Sequence, residues 1–168
     1  MQTQRLSLRP LLPTDGAALA HLYRDPEVAR YIGGDLLTAE SAQRQADRFA
    51  ALWHQHGFGQ SIVTERTSGV QIGRVGLHLW REWDEVELAR VLARDWHGQG
   101  LAQQAARAWL AWAISASPAD YLTAVVHEDN SASHRLAERL GFVVDRHDTT
   151  TWNPVIVWRY DLPRSSRG

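Results

Sequence analysis

The sequence predicts a single α/β (α+β) domain organised around a mixed β-sheet. Seven short segments carry the alternating or continuous apolar patterns of strands, and four longer segments carry apolar residues at helical spacing. One strand segment, Tyr121–His127, is almost entirely apolar, which is typical of a strand buried on both faces beside a parallel neighbour. The length of 168 residues and the near-average composition are those of one globular domain with a sizeable core.

The strands are predicted from local patterning and from the turns between them. Residues 5–10 alternate polar and apolar side chains, as a half-buried strand does. Thr67, Ser68 and Gly69 form a turn signal between two antiparallel strands, and Asn153 with Pro154 marks the turn of a closing hairpin. The predicted strands are residues 5–10, 58–65, 70–80, 84–92, 121–127, 142–150 and 155–162.

The helices are predicted from apolar stripes and from capping residues. The first helix must end before Pro26, and a flexible connection is expected at residues 31–34. Thr38 is the expected N-cap of the second helix, while Gly57 and Gly141 are expected to close the second and fourth helices. The predicted helices are residues 13–25, 38–57, 101–112 and 130–141.

The fourth predicted strand departs from simple alternation. Val86 and Leu88 share a face, and continuing this alternation places Arg90 inside and Val91 outside. One extra residue near Ala89 and Arg90 would restore the pattern, so a β-bulge is expected there.

Composition excludes several classes of function. The formal net charge of −1 argues against a strongly electrostatic nucleic-acid binder. The sequence has no cysteine, which removes disulfides, thiol nucleophiles and cysteine-ligated zinc, and it suits a cytoplasmic location. No apolar run is long enough for a signal peptide or a membrane span. One domain over residues 1–168 is expected, with a disordered tail at 164–168.

A glycine-bearing turn between the fourth strand and the third helix is the most informative stretch. Free backbone N–H groups and the helix dipole make such a turn suitable for a phosphate. A P-loop would need Lys and Ser or Thr after the second glycine, where Leu101 and Ala102 stand. A dinucleotide fingerprint would need a third glycine in place of Gln103. A plain strand–helix turn is the remaining alternative.

A second constellation gives the turn its context. Residues 128–133, EDNSAS, precede a helix that ends with RLGF at residues 139–142. The chain here resembles the GCN5-related N-acetyltransferases, in particular the branch similar to the ribosomal-protein alanine acetyltransferases. Residues 5–10 and 25–28 look like the opening of that branch, and Glu87 with Leu88 matches a later landmark. His97 departs from the family, whose loop usually begins with Arg or Gln.

The resemblance implies a fold and a cofactor site. The fold is a mixed, mostly antiparallel sheet of about seven strands that splays between the fourth and fifth strands, with about four flanking helices. The strand residues Arg90, Val91 and Leu92 would pair with the pantetheine arm of acetyl-CoA. The pyrophosphate would be held by His97, Gly98, Gln99, Gly100, Leu101 and Ala102. Asn130 would cap its helix and contact the cofactor as well.

Amine attack on a thioester, through a tetrahedral intermediate, needs a base, an oxyanion donor and a proton for the leaving thiolate. Glu87 is the expected base, and the alternative for it is a solvated carboxylate or an ion-pair partner of Arg90. A backbone N–H between Leu88 and Val91 is the expected oxyanion donor. No covalent enzyme intermediate is required.

Ser133 is the candidate acid, because many relatives carry a tyrosine where this chain has Ala137. The alternative is that Ser133 belongs to the cap of its helix. The acceptor pocket is expected to be walled by Tyr31, Trp80, Trp83 and His147, and the alternative for these four residues is ordinary packing or a place on the surface.

The sequence is therefore identified as a member of the N-acetyltransferases. The expected reaction transfers an acetyl group from acetyl-CoA directly to a primary amine of a protein N-terminus or of a small molecule. The alternatives are an aminoglycoside or polyamine N-acetyltransferase, or a non-catalytic acyl-CoA sensor. The expected partners are acetyl-CoA, an amine acceptor and a second copy in a homodimer. No metal, nucleic acid or membrane partner is expected.

Overall fold

A seven-stranded sheet forms the centre of the computed structural model, which describes residues 1–34, 37–150 and 153–163. The predicted disordered tail at 164–168 lies outside these residues. The strands follow the order β1-β2-β3-β4-β5-β7-β6, and every neighbouring pair is antiparallel except β4 with β5. They are β1 (Leu6–Pro10), β2 (Gln60–Glu65), β3 (Gln71–Trp80), β4 (Glu85–Leu92), β5 (Tyr121–His127), β6 (Val143–Thr149) and β7 (Pro154–Asp161). The predicted mixed, mostly antiparallel sheet is confirmed.

Helices cover both faces of this sheet. The described residues form α1 (Gly16–Tyr23), α2 (Pro26–Ala29), α3 (Ala39–His56), α4 (Leu101–Ala116) and α5 (Ser131–Leu140), with short 3₁₀ helices at Pro13–Asp15 and Arg94–Trp96. The four predicted helices are present, and α2 is an addition. It forms because Asp25 accepts a hydrogen bond from the Glu27 N–H (2.9 Å) and Pro26 stands at the first helical position.

The capping residues chosen from the sequence act as predicted. The Thr38 hydroxyl accepts from the N–H of Ser41 at 3.1 Å and begins α3. Gly57 and Gly141 end α3 and α5 in the left-handed conformation, with φ of 71° and 92°. These local signals fix where the long helices start and stop.

Two hydrophobic clusters hold the helices against the sheet. One cluster joins α4 and α5 to one face through buried side chains such as Trp109, Leu88 and Leu122. The other joins α1 and α3 to the opposite face and includes Phe49 and Ile62. Burying a large apolar side chain stabilises the fold by about 1.5–3 kcal/mol. The sheet is therefore apolar on both faces.

The fourth and fifth strands pair only once. Within these two fully described strands, the register contains the single residue pair Glu87–Thr123. Both strands continue beyond that pair without a further partner between them, β4 to Leu92 and β5 to His127. The predicted splay between the fourth and fifth strands is confirmed.

The expected bulge at Ala89–Arg90 is wrong. Strands β3 and β4 keep one uninterrupted register from Gly73–Leu92 to Trp80–Glu85. Arg90 and Val91 lie on opposite faces and both are covered, because helices pack on each side of the sheet. The prediction assumed that one face of the strand is polar. Register shifts occur instead in β2–β3 and in β6–β7.

Candidate active site

A cavity of about 650 Å³ opens where β4 and β5 separate. Val28 from the α1–α3 layer lines it, and so do Leu101 and Leu136 from the α4–α5 layer. The cavity therefore passes through the gap in the sheet. Of the residues predicted as sites, it is lined by Tyr31, Arg90, Val91, Leu92, His97, Gly98, Gly100, Leu101, Ala102, Asn130 and Ser133.

The turn before α4 presents unsatisfied backbone amides to this cavity. Gly98 and Gly100 adopt φ of 72° and 74°, a left-handed conformation that glycine adopts without strain. The Gln104 N–H makes the first bond of α4, to the Gly100 carbonyl oxygen at 3.0 Å. The amides of Leu101 to Gln103 precede that bond and have no partner within the helix. The positive end of the helix dipole thus meets the cavity.

Three side chains fix the turn, two from within it and one from the N-terminal segment. His97 Nε2 donates to the Leu92 carbonyl oxygen at 2.8 Å, which ties the start of the turn to the end of β4. The Gln99 amide donates to the Asp95 carbonyl oxygen at 3.0 Å, and the Gln99 carbonyl accepts from Arg5 at 2.9 Å. Among the ten residues predicted to bind the cofactor, Gln99 alone does not line the cavity. Its contacts brace the turn instead.

The N-terminus of α5 forms the opposite wall. Asn130 Oδ1 accepts from the Ser133 backbone N–H at 3.1 Å, so Asn130 is the N-cap that the sequence indicates. Ser133 contributes only its N–H to this cap. Across the described residues, its hydroxyl makes no hydrogen bond, and the residue lines the cavity.

Arg90 links β4 to the N-terminus of α5. Its guanidinium donates to the Ser133 carbonyl oxygen at 3.0 Å, across the gap from β4 to α5. Burial lowers the pKa of Arg90 to about 10, and the Nε atom is buried without a hydrogen-bond partner. The guanidinium of Arg90 therefore ties α5 to β4 through this hydrogen bond.

Glu87 lies at the point of separation, on the face of β4 opposite Arg90. Its side chain is buried; Oε2 accepts from Trp80 Nε1 at 2.7 Å and Oε1 accepts from the Val125 N–H at 3.3 Å. Burial raises the pKa of Glu87, and these two hydrogen bonds oppose the rise. No ion pair joins Glu87 to Arg90 within the described part of the chain, so neither the solvated nor the ion-paired alternative holds.

The predicted acceptor wall is only partly brought together. Tyr31 lines the cavity and packs on His127, with ring centroids 5.3 Å apart. Trp80 and Trp83 stack on each other at 4.9 Å beside Glu87, but neither lines the cavity.

His147 is not part of this group. It pairs with Ile156 in the β6–β7 register, whereas Arg146 pairs with Val157. Val157 pairs with Val125 of β5, on the face of Glu87. Side chains alternate along a strand, so His147 lies on the opposite face of the sheet. The sequence predicts strands without their pairing, and pairing decides the face.

Several lining residues are absent from the sequence prediction. Arg135 and Arg139 are exposed, lie one turn apart on α5, and put two positive charges beside the cavity. Gln103 lines it from the first turn of α4, and Glu27 from α2. The signal for the arginines is their spacing of three and seven residues from Ala132 on one helix face.

The chain was compared with known proteins. Residues 5–143 match the family described as an acetyltransferase (GNAT) domain. The chain belongs to this family. It is therefore an acyltransferase, and ribosomal-protein acetyltransferases are among the solved structures that share its fold.

Similar proteins come from several bacteria. A protein of Bacillus subtilis, the N-acetyltransferase YoaA, described as uncharacterized, is 28% identical over 84% of this chain and 81% of its own length. An acetyltransferase structure from Agrobacterium tumefaciens is 30% identical, with a TM-score of 0.83 and coverage of 95% and 92% of the two chains. RimL, a ribosomal L7/L12 N-acetyltransferase in complex with coenzyme A, has the same fold at 16% identity, TM-score 0.78 and coverage of 95% and 96%.

Two features are absent from the described residues. None of their helices is long and apolar enough to cross a membrane. None of their His, Asp and Glu side chains form a group of three or more that could hold a metal ion.

Proposed function

We propose that the protein transfers an acetyl group from acetyl-CoA directly to a primary amine. The single observation that supports this most strongly is the cavity through the β4–β5 gap. It runs from free amides at the start of α4 to Ser133 on α5. The buried Glu87 carboxylate lies on the other face of β4 at the same gap. A cofactor and an acceptor could thus meet from opposite sides.

The residues of the cavity suit acetyl-CoA. The phosphates would be held by the amides after Gly98 and Gly100, with the positive charges of Arg135 and Arg139 nearby. The pantetheine arm would lie along residues 90–92, whose backbone has no β5 partner on that side. The cavity volume of about 650 Å³ is within the usual range for small-molecule sites.

Acetyl-CoA supplies the acetyl group as an activated thioester. Glu87 accepts the proton of the incoming ammonium, since its raised pKa makes it a stronger base than an exposed glutamate. A backbone N–H between Leu88 and Val91 donates to the oxygen on which charge develops. The Ser133 hydroxyl, free of the helix cap, donates to the departing sulfur.

We favour a peptide N-terminus as the acceptor over a polyamine or an aminoglycoside. Three acidic groups of β4 and β6 are already paired, since Arg146 binds Glu85, Asp145 and Asp148 at 2.9–3.1 Å. A multiply charged amine would need unpaired carboxylates. A peptide α-amine, with a pKa of about 8, reaches its neutral form more readily than an alkylamine.

Thiol release from acetyl-CoA tests the proposal. The acceptors are a short peptide beginning with Ala or Ser, spermidine and an aminoglycoside, each compared with a reaction that lacks an amine. We expect amine-dependent release, fastest with the peptide. Tight binding of CoA without release on any acceptor would overturn the proposal in favour of an acyl-CoA sensor.

A further inference from the structure

We propose that Trp80 is a positioning residue, whose indole N–H holds the Glu87 carboxylate in place to accept a proton at the β4–β5 gap. This inference rests on the proposed function, in which Glu87 is the base. It gives Trp80 a role different from the pocket wall that the sequence indicates.

The contact follows from the register of two adjacent strands. Trp80 pairs with Glu85, and His78 pairs with Glu87, so Trp80 and Glu87 are diagonal neighbours on one face. The Nε1–Oε2 distance is 2.7 Å, a short hydrogen bond for an N–H donor. An indole N–H can only donate a hydrogen bond, so the Trp80 N–H keeps an unprotonated oxygen of the Glu87 carboxylate facing it.

The second oxygen of Glu87 is also held. Oε1 accepts from the Val125 N–H of β5 at 3.3 Å, two residues beyond the single β4–β5 pair. The carboxylate therefore reaches across the gap with one donor from each side. With both oxygens engaged, Glu87 has little freedom to leave the rotamer in which it faces the gap.

The indole of Trp80 is itself fixed by its neighbours. It packs edge-to-face on His78 at 5.5 Å and stacks on Trp83 at 4.9 Å. The Arg146 guanidinium lies 4.9 Å over Trp83 and is held by Glu85. A donor fixed by packing can orient its acceptor, whereas a mobile one cannot.

The charged groups around Glu87 do not replace this contact. Burial lowers the pKa of His78 to about 4, so this ring is neutral in the range where an amine is acetylated. Glu85 is paired with Arg146, and no ion pair within the described residues joins Glu87 to a cation. The titratable and charged groups on the side of Glu87 are Arg74 and His78 on β3, Glu85 on β4, Tyr121 on β5 and Arg146 on β6, and Arg90 acts on it from the opposite face of β4.

The direct test observes the indole N–H by NMR in ¹⁵N-labelled protein, without any acceptor. The Trp80 signal is identified by its loss in Trp80→Phe, with Trp80→Tyr as a second variant should the first fail to fold. We expect this signal to move with pH as Glu87 is protonated, and to stop moving in Glu87→Gln. A signal that does not follow pH, or follows it equally in Glu87→Gln, would overturn the proposal.

The kinetic test uses the pH dependence of kcat/KM with the best acceptor of the panel. Loss of a hydrogen bond to the charged form should raise the pKa of Glu87 further and move the acidic limb of Trp80→Phe up by about one pH unit. At a pH one unit below the wild-type acidic limb, the kcat/KM of Trp80→Phe should then be about tenfold lower than that of the wild type, and it should recover at higher pH. A uniform loss at every pH would contradict the positioning role.

Trp83→Phe is the matched control. It keeps an aromatic ring at the position that stacks on Trp80 and removes no donor to Glu87, so its acidic limb should stay at the wild-type pH. Failure of the proposed function has a different result. If Glu87→Gln keeps full turnover, Glu87 is not the base, whatever the indole signal does.

Discussion

The two ends of the proposed active site are built in different ways. The cofactor end consists of the turn at residues 97–102 and the first turn of α5, and it offers mainly backbone N–H groups. The base end consists of side chains from separate strands, with Trp80 of β3 and Val125 of β5 holding Glu87 of β4. A backbone site depends on local conformation, whereas a side-chain site depends on register between distant segments. The two ends should therefore respond to different mutations.

The largest effect is expected at the base end. Glu87→Gln keeps the shape of the side chain but removes its basicity, so kcat should fall about 10²–10⁴-fold. The dissociation constant of CoA, measured by calorimetry, should not change, because Glu87 does not line the cavity. Glu82→Gln changes an exposed glutamate in the same way and is the control, with kcat expected to stay at the wild-type value. A parallel loss of CoA affinity would mean that the two ends are not separate.

At the cofactor end, backbone strain alone should weaken the binding of CoA. Gly100→Val disfavours a φ of 74°, and the exposed turn relaxes into another conformation that turns its amides away. CoA should bind about 10-fold more weakly. Gly57→Val is the matched control, since φ is 71° there and an added Cβ meets open space. It should lower stability and leave CoA affinity intact; equal effects on CoA would disprove the loop assignment.

Ser133 lies between the two ends, and its two roles can be separated. Ser133→Ala should lower kcat about tenfold by removing one hydrogen bond to the departing thiolate. Its melting temperature should stay near wild type, because the cap uses the backbone N–H of Ser133. Asn130→Ala should instead cost about 1 kcal/mol of stability. If Ser133→Ala were destabilised but kept a normal kcat, the Ser133 hydroxyl would have a role in the helix cap and none in catalysis.

The smallest effect is a pH dependence of stability at the base end. The pKa of Glu87 is raised in the folded state, so its contribution to stability is fully present below its unfolded pKa, about 4.3. That contribution is lost as pH rises through the folded pKa. The urea midpoint of Glu87→Gln should therefore increase relative to that of the wild type as pH rises. A gain that shrinks with pH would mean that the pKa is lowered instead.

The sequence predicts the cofactor end better than the base end. Caps at Thr38 and Asn130, the glycine turn and the strand–helix order are local, and each has a signature within a few residues. The contact between Trp80 and Glu87 depends on how β3 pairs with β4, and no local signature gives that register. The missing register also explains the placement of His147 on the face opposite Glu87, whereas the bulge at Arg90 was expected because one face of β4 was taken to be polar.

The central claim is that acetyl-CoA occupies the cavity through the β4–β5 gap. A crystal structure with CoA bound tests it most directly. We expect the pyrophosphate on the amides after Gly98 and Gly100, and the sulfur close to Ser133 on the α5 side of the gap, with Glu87 on the other face of β4. CoA bound elsewhere on the molecule, or β4 and β5 paired along their full length in the complex, would contradict the account.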